Sequence, residues 1–324
     1  MSDDHLNDIE TDRPLEGEAL NRRSVLKCVA TWAGTGVMWG LVGGVPRAFA
    51  ASATGKREAE LAGADTFTFV QISDSHIGFK KPVNPDPTKT LQAAIEKANA
   101  MQPSFVLHTG DITHLSKPAE FDLAEQMLKG LNAPVHYVPG EHDALDETGG
   151  KAYLERFGKG TKGNGWYSFD DRGVHFVALV NVFDFVPGHE AKLGDEQLEW
   201  LEDDLKAVSA STPIVVFTHI PLWSLYQPWG WGTEDGARAI AYLRRFGSVT
   251  VLQGHIHQVI QKVEGNITFH TANGTAFPQP KPGAAKSPGP LVVPAEKLRS
   301  FLGLTSVSAI EGGHTLALSD KTLA

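Results

Sequence analysis

From residue 66 onward the chain alternates between two hydrophobic rhythms: short unbroken apolar runs, and longer stretches in which apolar residues return every three or four positions. The first run, Phe67-Thr68-Phe69-Val70-Gln71-Ile72, is short and rich in aromatic and β-branched residues. That pattern predicts a strand buried on both faces. Residues 89–101 follow with Leu91, Ala94, Ile95 and Ala98 on one helical face, and Pro103 stops the helix. The alternation continues with strand 105–107, helix 118–131 and strand 135–138. Residues 166–169 and 174–180 predict a hairpin around Asp170-Asp171-Arg172-Gly173. Helix 194–208, striped by Leu198, Leu201 and Leu205, precedes strand 214–217, helix 233–246 and strand 249–252. Strands alternating with helices argue for an α/β sandwich, and the hairpin makes its sheet mixed. There is no internal repeat.

The polar residues that end these runs carry the chemistry. Strands ending near 72, 107, 138, 217 and 252 run directly into Asp74 and His76, Asp111, Glu141 and His142, His219, and His255 and His257. Ligands of open α/β sheets bind outside the carboxyl ends of strands, where loops gather residues distant in sequence. Asp74 and His76 stand two apart, and in an extended segment they would project to one side and close on one ion. Oxygen and imidazole donors without thiolate suit zinc, manganese or iron. Gly110, Gly140 and Gly254 precede ligand candidates, where the backbone is expected to turn tightly. His108, His114 and His136 are expected to pack or to support the site from behind.

The first fifty residues stand apart from this pattern. Arg22-Arg23 precedes a glycine-laden apolar stretch, residues 29–45, that ends in Pro46-Arg47-Ala48-Phe49-Ala50. Paired arginines, a weakly hydrophobic middle and an Ala-x-Ala end predict a twin-arginine export signal. The export machinery is thus an expected partner, with cleavage near Ala50 and a periplasmic or otherwise exported product. The apolar run is short for a membrane span, so no stable anchor is expected. The one cysteine, Cys28, lies inside this segment, so the mature chain would hold no disulfide or thiolate ligand. The 324-residue chain is 41% hydrophobic with a net charge of −9, and it has no basic run beyond the N-terminal region. No nucleic-acid polymer is therefore expected as a partner. Residues 51–65 read as a linker, 66–277 as the main domain, and 278–290, rich in proline and glycine, as a second linker. Residues 291–324 read as a C-terminal segment that packs on the domain, returning to the sheet or covering the site.

Asp74-x-His76, Gly110-Asp111, Gly140-x-His142-Asp143, His219 and Gly254-His255-x-His257, in this order across residues 66–275, resemble the calcineurin-like metallophosphoesterase superfamily. The resemblance implies a four-layer αββα sandwich of mixed sheets with the metal site at the strand C-terminal ends. It also implies two metal ions of the Fe, Mn or Zn type, about 3.5–4 Å apart. Asp74, His76 and His257 would hold the first metal, His219 and His255 the second, and Asp111 would bridge them. His142 matches the family's catalytic histidine, with Asp143 to orient it. One position departs: the family reads Gly-Asn-His, with the Asn a ligand, and here that residue is Glu141. A carboxylate there still ligates, and its charge would favour Fe(III) paired with a divalent ion; otherwise Glu141 points away and the second position stays weak. The expected activity is phosphoester hydrolysis by a water shared between the metals, on a small phosphodiester such as a cyclic nucleotide. The alternatives are a broad phosphomonoesterase and a non-catalytic metal-binding protein. After His219 a loop carries Trp223, Tyr226, Trp229 and Trp231, which either grip a base or apolar leaving group or pack the loop onto the core.

Overall fold

The computed structural model describes residues 37–42, 45–50, 66–147, 149–310 and 316–324. Arg22-Arg23 and the linker 51–65 lie outside the described residues. In the segment expected to direct export, β1 (Val37–Val42) and β2 (Val45–Ala50) pair antiparallel as a sheet of their own. Residues 65–324 form a second unit, which carries every candidate site residue.

In that unit β3 (Thr66–Ile72), β4 (Val106–Thr109) and β5 (Val135–Val138) lie side by side and parallel. A second sheet contains β6 (Tyr167–Asp171), β7 (Val174–Ala178), β8 (Ile214–Thr218), β9 (Val249–Gln253), β10 (Gln261–Glu264) and β11 (Ile267–Thr271). Its order is β10-β11-β9-β8-β7-β6, with β7, β8, β9 and β11 parallel and the two edge strands antiparallel. The first sheet is completed from the far end of the chain. β12 (Gly303–Ile310) lies antiparallel against β3, and β13 (Leu316–Thr322) pairs with β12.

The unbroken apolar run of β3 has a simple origin. Phe67 and Phe69 point into the cluster between the sheets, with Phe105, Phe176, Phe217 and Val307. Val70 and Ile72 point the other way, onto Leu91, Ile95, Phe121 and Ala124 of α1 (Pro87–Ala100) and α2 (Pro118–Leu128). On the far side of the second sheet, α4 (Asp195–Lys206) and α5 (Gly236–Leu243) lay Leu198, Leu201, Ile240 and Leu243 over Val177, Val216 and Val251. A further short helix, α3 (Lys151–Phe157), adds Tyr153 to the first helical layer. The result is a mixed αββα sandwich: the alternation of strand and helix is the one the residue pattern called for, and the four layers are those the family resemblance implied.

Two helices differ from expectation by three residues at an end, the others by one or two. α2 stops at Leu128, before Gly130, and a turn rather than a helix brings Leu131 to the core. α5 begins three residues late because its expected first turn has other partners. The Thr233 hydroxyl donates to the Pro221 carbonyl, and the Asp235 carboxylate accepts from the Leu193 and Gly194 amides. The hairpin forms as expected, its two turn residues Arg172 and Gly173 both at positive φ (46° and 79°), as a turn matching the strand twist requires. No helix among the described residues is long and apolar enough to cross a membrane.

Candidate metal centre

The parallel strands β3, β4, β5, β8 and β9 end on one rim of the sandwich, and every predicted ligand lies within five residues of one of those ends. The loops there are laced together: the Asp74 amide donates to the Gly110 carbonyl, His76 to Asp111, and Gly254 to His219. Asp74, His76, Asp111, His255 and His257 all sit at positive φ (54°, 41°, 53°, 70° and 50°). They make up five of the eight non-glycine residues in that region among the described residues. Such a backbone costs energy and persists where the surroundings force it, which marks this rim as functional. It also corrects one expectation. Asp74 and His76 converge through a left-handed bend, not through the alternation of an extended strand.

Four overlapping groups of donors result; two of them, His76 with His114 and His142, and Asp111 with Glu141 and His142, run through His142, and the other two gather the predicted ligands. Asp74, His76, Asp111 and His257 bring one donor atom each within 4.8 Å of one another, and so do Glu141, His219 and His255. In the first, His76 Nε2 lies 3.2 Å from His257 Nε2, which is 3.2 Å from Asp74 Oδ1. In the second, Glu141 points inward, with its oxygens 2.9 Å from His219 Nε2 and 3.0 Å from His255 Nδ1. Asp111 Oδ2 joins them, 3.3 Å from His76 Nε2 and 3.5 Å from His219 Nε2, with Asp74 Oδ1 farther off at 4.0 Å from His219 Nε2. The other Asp111 oxygen accepts the His142 amide at 2.9 Å, which fixes the carboxylate between the groups.

The protons show what the clusters are built to hold. His219 Nδ1 donates to the Thr109 carbonyl at 2.6 Å, and His257 Nδ1 to the Phe277 carbonyl at 2.5 Å. Each neutral ring then turns an Nε2 lone pair toward carboxylates, an arrangement that repels unless positive charge stands between. Asp74 Oδ2 and His219 Nε2 are buried and make no hydrogen bond of acceptable geometry. Burial opposes charge at His219 and His257. The carboxylates of Asp111 and Glu141 at the first, and of Asp74 at the second, nonetheless raise their pKa values. Burial likewise works to raise Asp74, but His257 and His219 outweigh it and hold the carboxyl at about 2. Burial, with His142, His257 and His114 nearby, drives His76 well down and keeps it neutral. Protons thus occupy positions that cations would take, and metal uptake should release them. The donor set, all nitrogen and oxygen, fits two transition-metal cations sharing Asp111.

His142 stands beside this pair without belonging to it in the same way. Its Nδ1 donates to the His114 carbonyl at 2.7 Å, leaving Nε2 free. Burial works to lower its pKa, but Asp111 and Glu141 raise it above the ordinary value, favouring the form that can donate a proton. Asp143 does not orient it. Its buried carboxylate accepts from the Ile112, Thr113 and Gly140 amides and the Thr113 hydroxyl at 2.8–3.0 Å, clamping the Asp111 loop to the Glu141 loop. Burial and the Asp111 charge push the Asp143 pKa up to about 6 against those donors. An acid following a histidine is legible in sequence, but its direction is not.

The glycines also act differently from expectation. Only Gly110 turns the chain at positive φ (93°). Gly140 has φ −99°, open to any residue, but a Cβ there would lie 2.0 Å from Asp111 Oδ1. A Cβ on Gly254 would lie 2.2 Å from Ser73 Oγ and 2.9 Å from Asp74 Oδ2. These two are glycines because of close neighbours, Asp111 at Gly140 and the Ser73 hydroxyl with Asp74 and Thr109 at Gly254.

The aromatic loop supports the site more than it faces a ligand. Trp229 and Trp231 are buried with Ile256, and Trp231 lies edge-on to His255 at 6.3 Å. Trp223 packs on Phe269 beneath the outer helices, 4.9 Å between rings, away from the donors. Tyr226, half-buried, rests against Trp229. Of the two readings of this loop, packing onto the core therefore holds for Trp229 and Trp231, whose large apolar rings gain more from burial in a long loop than from exposure, while Trp223 is half-buried. Two contributors carried no sequence signal as site residues: the Phe277 carbonyl that fixes His257, and the Phe277 ring 4.8 Å from His76. His108, buried with its Nε2 2.8 Å from Ser75 Oγ, supports the loop from behind, and His136 stacks on Phe169.

Comparison with known proteins agrees with this geometry. The chain is 27% identical over 218 residues to a probable cyclic nucleotide phosphodiesterase of Rhodopseudomonas palustris, covering 64% of this chain and 78% of that protein. It is 29% identical over 187 residues to a glycerophosphodiester phosphodiesterase of Enterobacter lignolyticus, covering 55% of this chain and 65% of that one. In fold it is similar to a dimetal phosphatase from Danio rerio, with a TM-score of 0.62 at 14% identity over 80% of this chain and 96% of the other. Residues 67–259, which hold both donor groups and all the strands that end at them, match the family described as calcineurin-like phosphoesterase. A two-cation centre on the rim of a mixed αββα sandwich is thus shared with that family, and the chain belongs to it.

Proposed function

We propose that the protein is a metal-dependent phosphodiesterase of small substrates, of the cyclic nucleotide or glycerophosphodiester kind. The observation that carries this reading is Asp111 Oδ2 poised between two donor groups, with His142 alongside. The names of the two relatives supply the substrate class. Two cations bound there would polarise a phosphoryl oxygen and activate a water for in-line attack. Asp74, His76, Asp111 and His257 would hold one, and Asp111, Glu141, His219 and His255 the other. His142, with Nδ1 anchored, presents Nε2 to stabilise the phosphoryl oxygens or to protonate the leaving oxygen. The test is turnover of bis(p-nitrophenyl) phosphate against p-nitrophenyl phosphate with manganese, zinc and iron supplied singly. Faster diester cleavage is expected. Turnover of the monoester alone would make the protein a phosphomonoesterase, and metal uptake without turnover a binding protein.

We infer the identity of the metals from the charge that Glu141 adds. Asp74, Asp111 and Glu141 place three negative charges around two cations, where the Asn form of the motif places two. Two divalent ions would then attract a phosphate ester less strongly. A trivalent ion ringed by Asp111, Glu141, His219 and His255 restores the lost unit of charge, so the proposed pair is Fe(III) with a divalent ion. Protein made with iron, zinc and manganese all present should hold ferric iron, and Glu141→Asn should exchange it for a divalent ion. Two divalent ions in the wild type, with Glu141→Asn changing nothing, overturns the charge argument.

We also propose that residues 1–50 direct twin-arginine export to the periplasm, on the strength of Arg22-Arg23 ahead of the glycine-rich stretch. Arg22→Lys with Arg23→Lys should leave the uncleaved precursor in the cytoplasm. Normal delivery of mature protein by that variant would sink the idea.

A further inference from the structure

His114 follows Asp111 by three residues and matches no ligand position of the motif, yet it touches both halves of the machinery. Its ring Nδ1 lies 3.3 Å from His76 Nδ1. Its carbonyl accepts the His142 Nδ1 proton at 2.7 Å, and its ring stacks on that of His142, 4.9 Å between centroids and 15° between planes. Phe79 closes the remaining face edge-on at 5.2 Å. The backbone is pinned as well, the His114 amide donating to the Ile77 carbonyl at 2.9 Å.

The proton positions follow from the site. His76 Nε2 faces Asp111 Oδ2 and His257 Nε2, so it must offer a lone pair there to hold a cation. The His76 proton then sits on Nδ1, where the nearest partner is His114 Nδ1. That nitrogen must accept, which places the His114 proton on Nε2. A metal-ligating imidazole whose outer N–H has a fixed acceptor is held in its tautomer and orientation, and it is a better ligand. Here the acceptor is a second imidazole, and the same residue's carbonyl fixes the tautomer of His142.

We propose that His114 is a positioning residue, whose ring holds His76 in its metal-binding tautomer while its carbonyl holds His142 with Nε2 free. The proposal rests on the two-cation reading of the site. It assigns the two tasks to different atoms of one residue, so a side-chain substitution separates them. His114→Ala keeps the carbonyl and loses the acceptor. His114→Asn restores an acceptor, because the amide Oδ1 occupies the place of Nδ1 one bond beyond Cγ. His114→Leu fills the space and accepts nothing.

The experiment is titration of metal-free protein with Co(II) in competition with a chelator, with far-UV circular dichroism to confirm folding. Wild type should take up two ions in resolvable steps. His114→Ala and His114→Leu should weaken one step by about 10–100-fold and leave the other within threefold, as expected for an outer-shell partner of a ligand. His114→Asn should return the weakened step to near the wild-type affinity. Wild-type protein that binds no Co(II) overturns the metal-site reading and this inference together. Normal wild-type binding with unchanged steps in His114→Ala and His114→Leu overturns this inference alone. Equal weakening of both steps, or no rescue by Asn, shows a merely structural role and overturns it too.

Discussion

Asp111→Asn should lose both cations and all measurable turnover, whereas His142→Ala should keep its metal and slow by about 10²–10⁴-fold. The difference lies in what each side chain touches. Asp111 Oδ2 lies within reach of His76 and His219 together, at 3.3 and 3.5 Å. If the Asn oxygen keeps the His142 amide, its NH₂ replaces Oδ2 and turns protons toward both cations. Charge and lone pair vanish from the point where two positive ions must be held close. His142, by contrast, secures Asp111 through its backbone amide, which alanine retains. Only the ring that meets the ester is lost. Metal content by mass spectrometry alongside kcat would decide the matter, and equal metal loss in both variants would show that His142 is a ligand.

Gly140→Ala is expected to be nearly as damaging, though it removes no chemical group. The backbone at Gly140 is unstrained for alanine, with φ −99° and ψ 173°, so its cost is contact alone. The new methyl would lie 2.0 Å from Asp111 Oδ1, 2.3 Å from the Asp111 amide nitrogen and 2.6 Å from Cγ. None of these atoms is the far end of a flexible chain, so the Asp111 loop must move bodily. Overpacking of this kind costs about 1–3 kcal/mol of stability. A displacement of about 1 Å at a catalytic group costs about 10²-fold in rate. The expected result is a folded protein with reduced metal content and kcat/KM lower by about two orders of magnitude. Activity within threefold of wild type would mean that the two loops yield more easily than their shared hydrogen bonds to Asp143 suggest.

The ligands were legible because they obey a local rule. A strand buried on both faces must be apolar throughout, so Asp74, Asp111, Glu141, His219 and His255 stand out where the runs end. Parallel strands in turn deliver those ends to one rim. The helices were legible for a similar reason, since one buried face repeats every three or four residues, although α5 lost its expected first turn to the bonds of Thr233 and Asp235. What a residue does after the strand ends was harder to read. Asp143 follows His142 yet turns away from it to clamp two loops, and Trp229 and Trp231 follow His219 yet face inward.

The sequence by itself determined the alternation of strand and helix and the apolar interior of β3, and it singled out seven of the eight candidate metal-centre residues as a family pattern, with Glu141 as the exception. Each rests on nearest-neighbour periodicity or on short motifs, which local chain geometry converts directly into direction and burial. Only the tertiary structure decided that β12 lies beside β3, that Gly140 leaves room for Asp111, and that Glu141 points inward to His219 and His255. It alone placed His114 between His76 and His142. These are contacts between segments remote in sequence, such as Ala309 opposite Phe67, or choices of side-chain direction within a left-handed bend. Neither leaves a mark on the hydrophobic rhythm, because that rhythm records whether a residue is buried and not which distant atom it meets there.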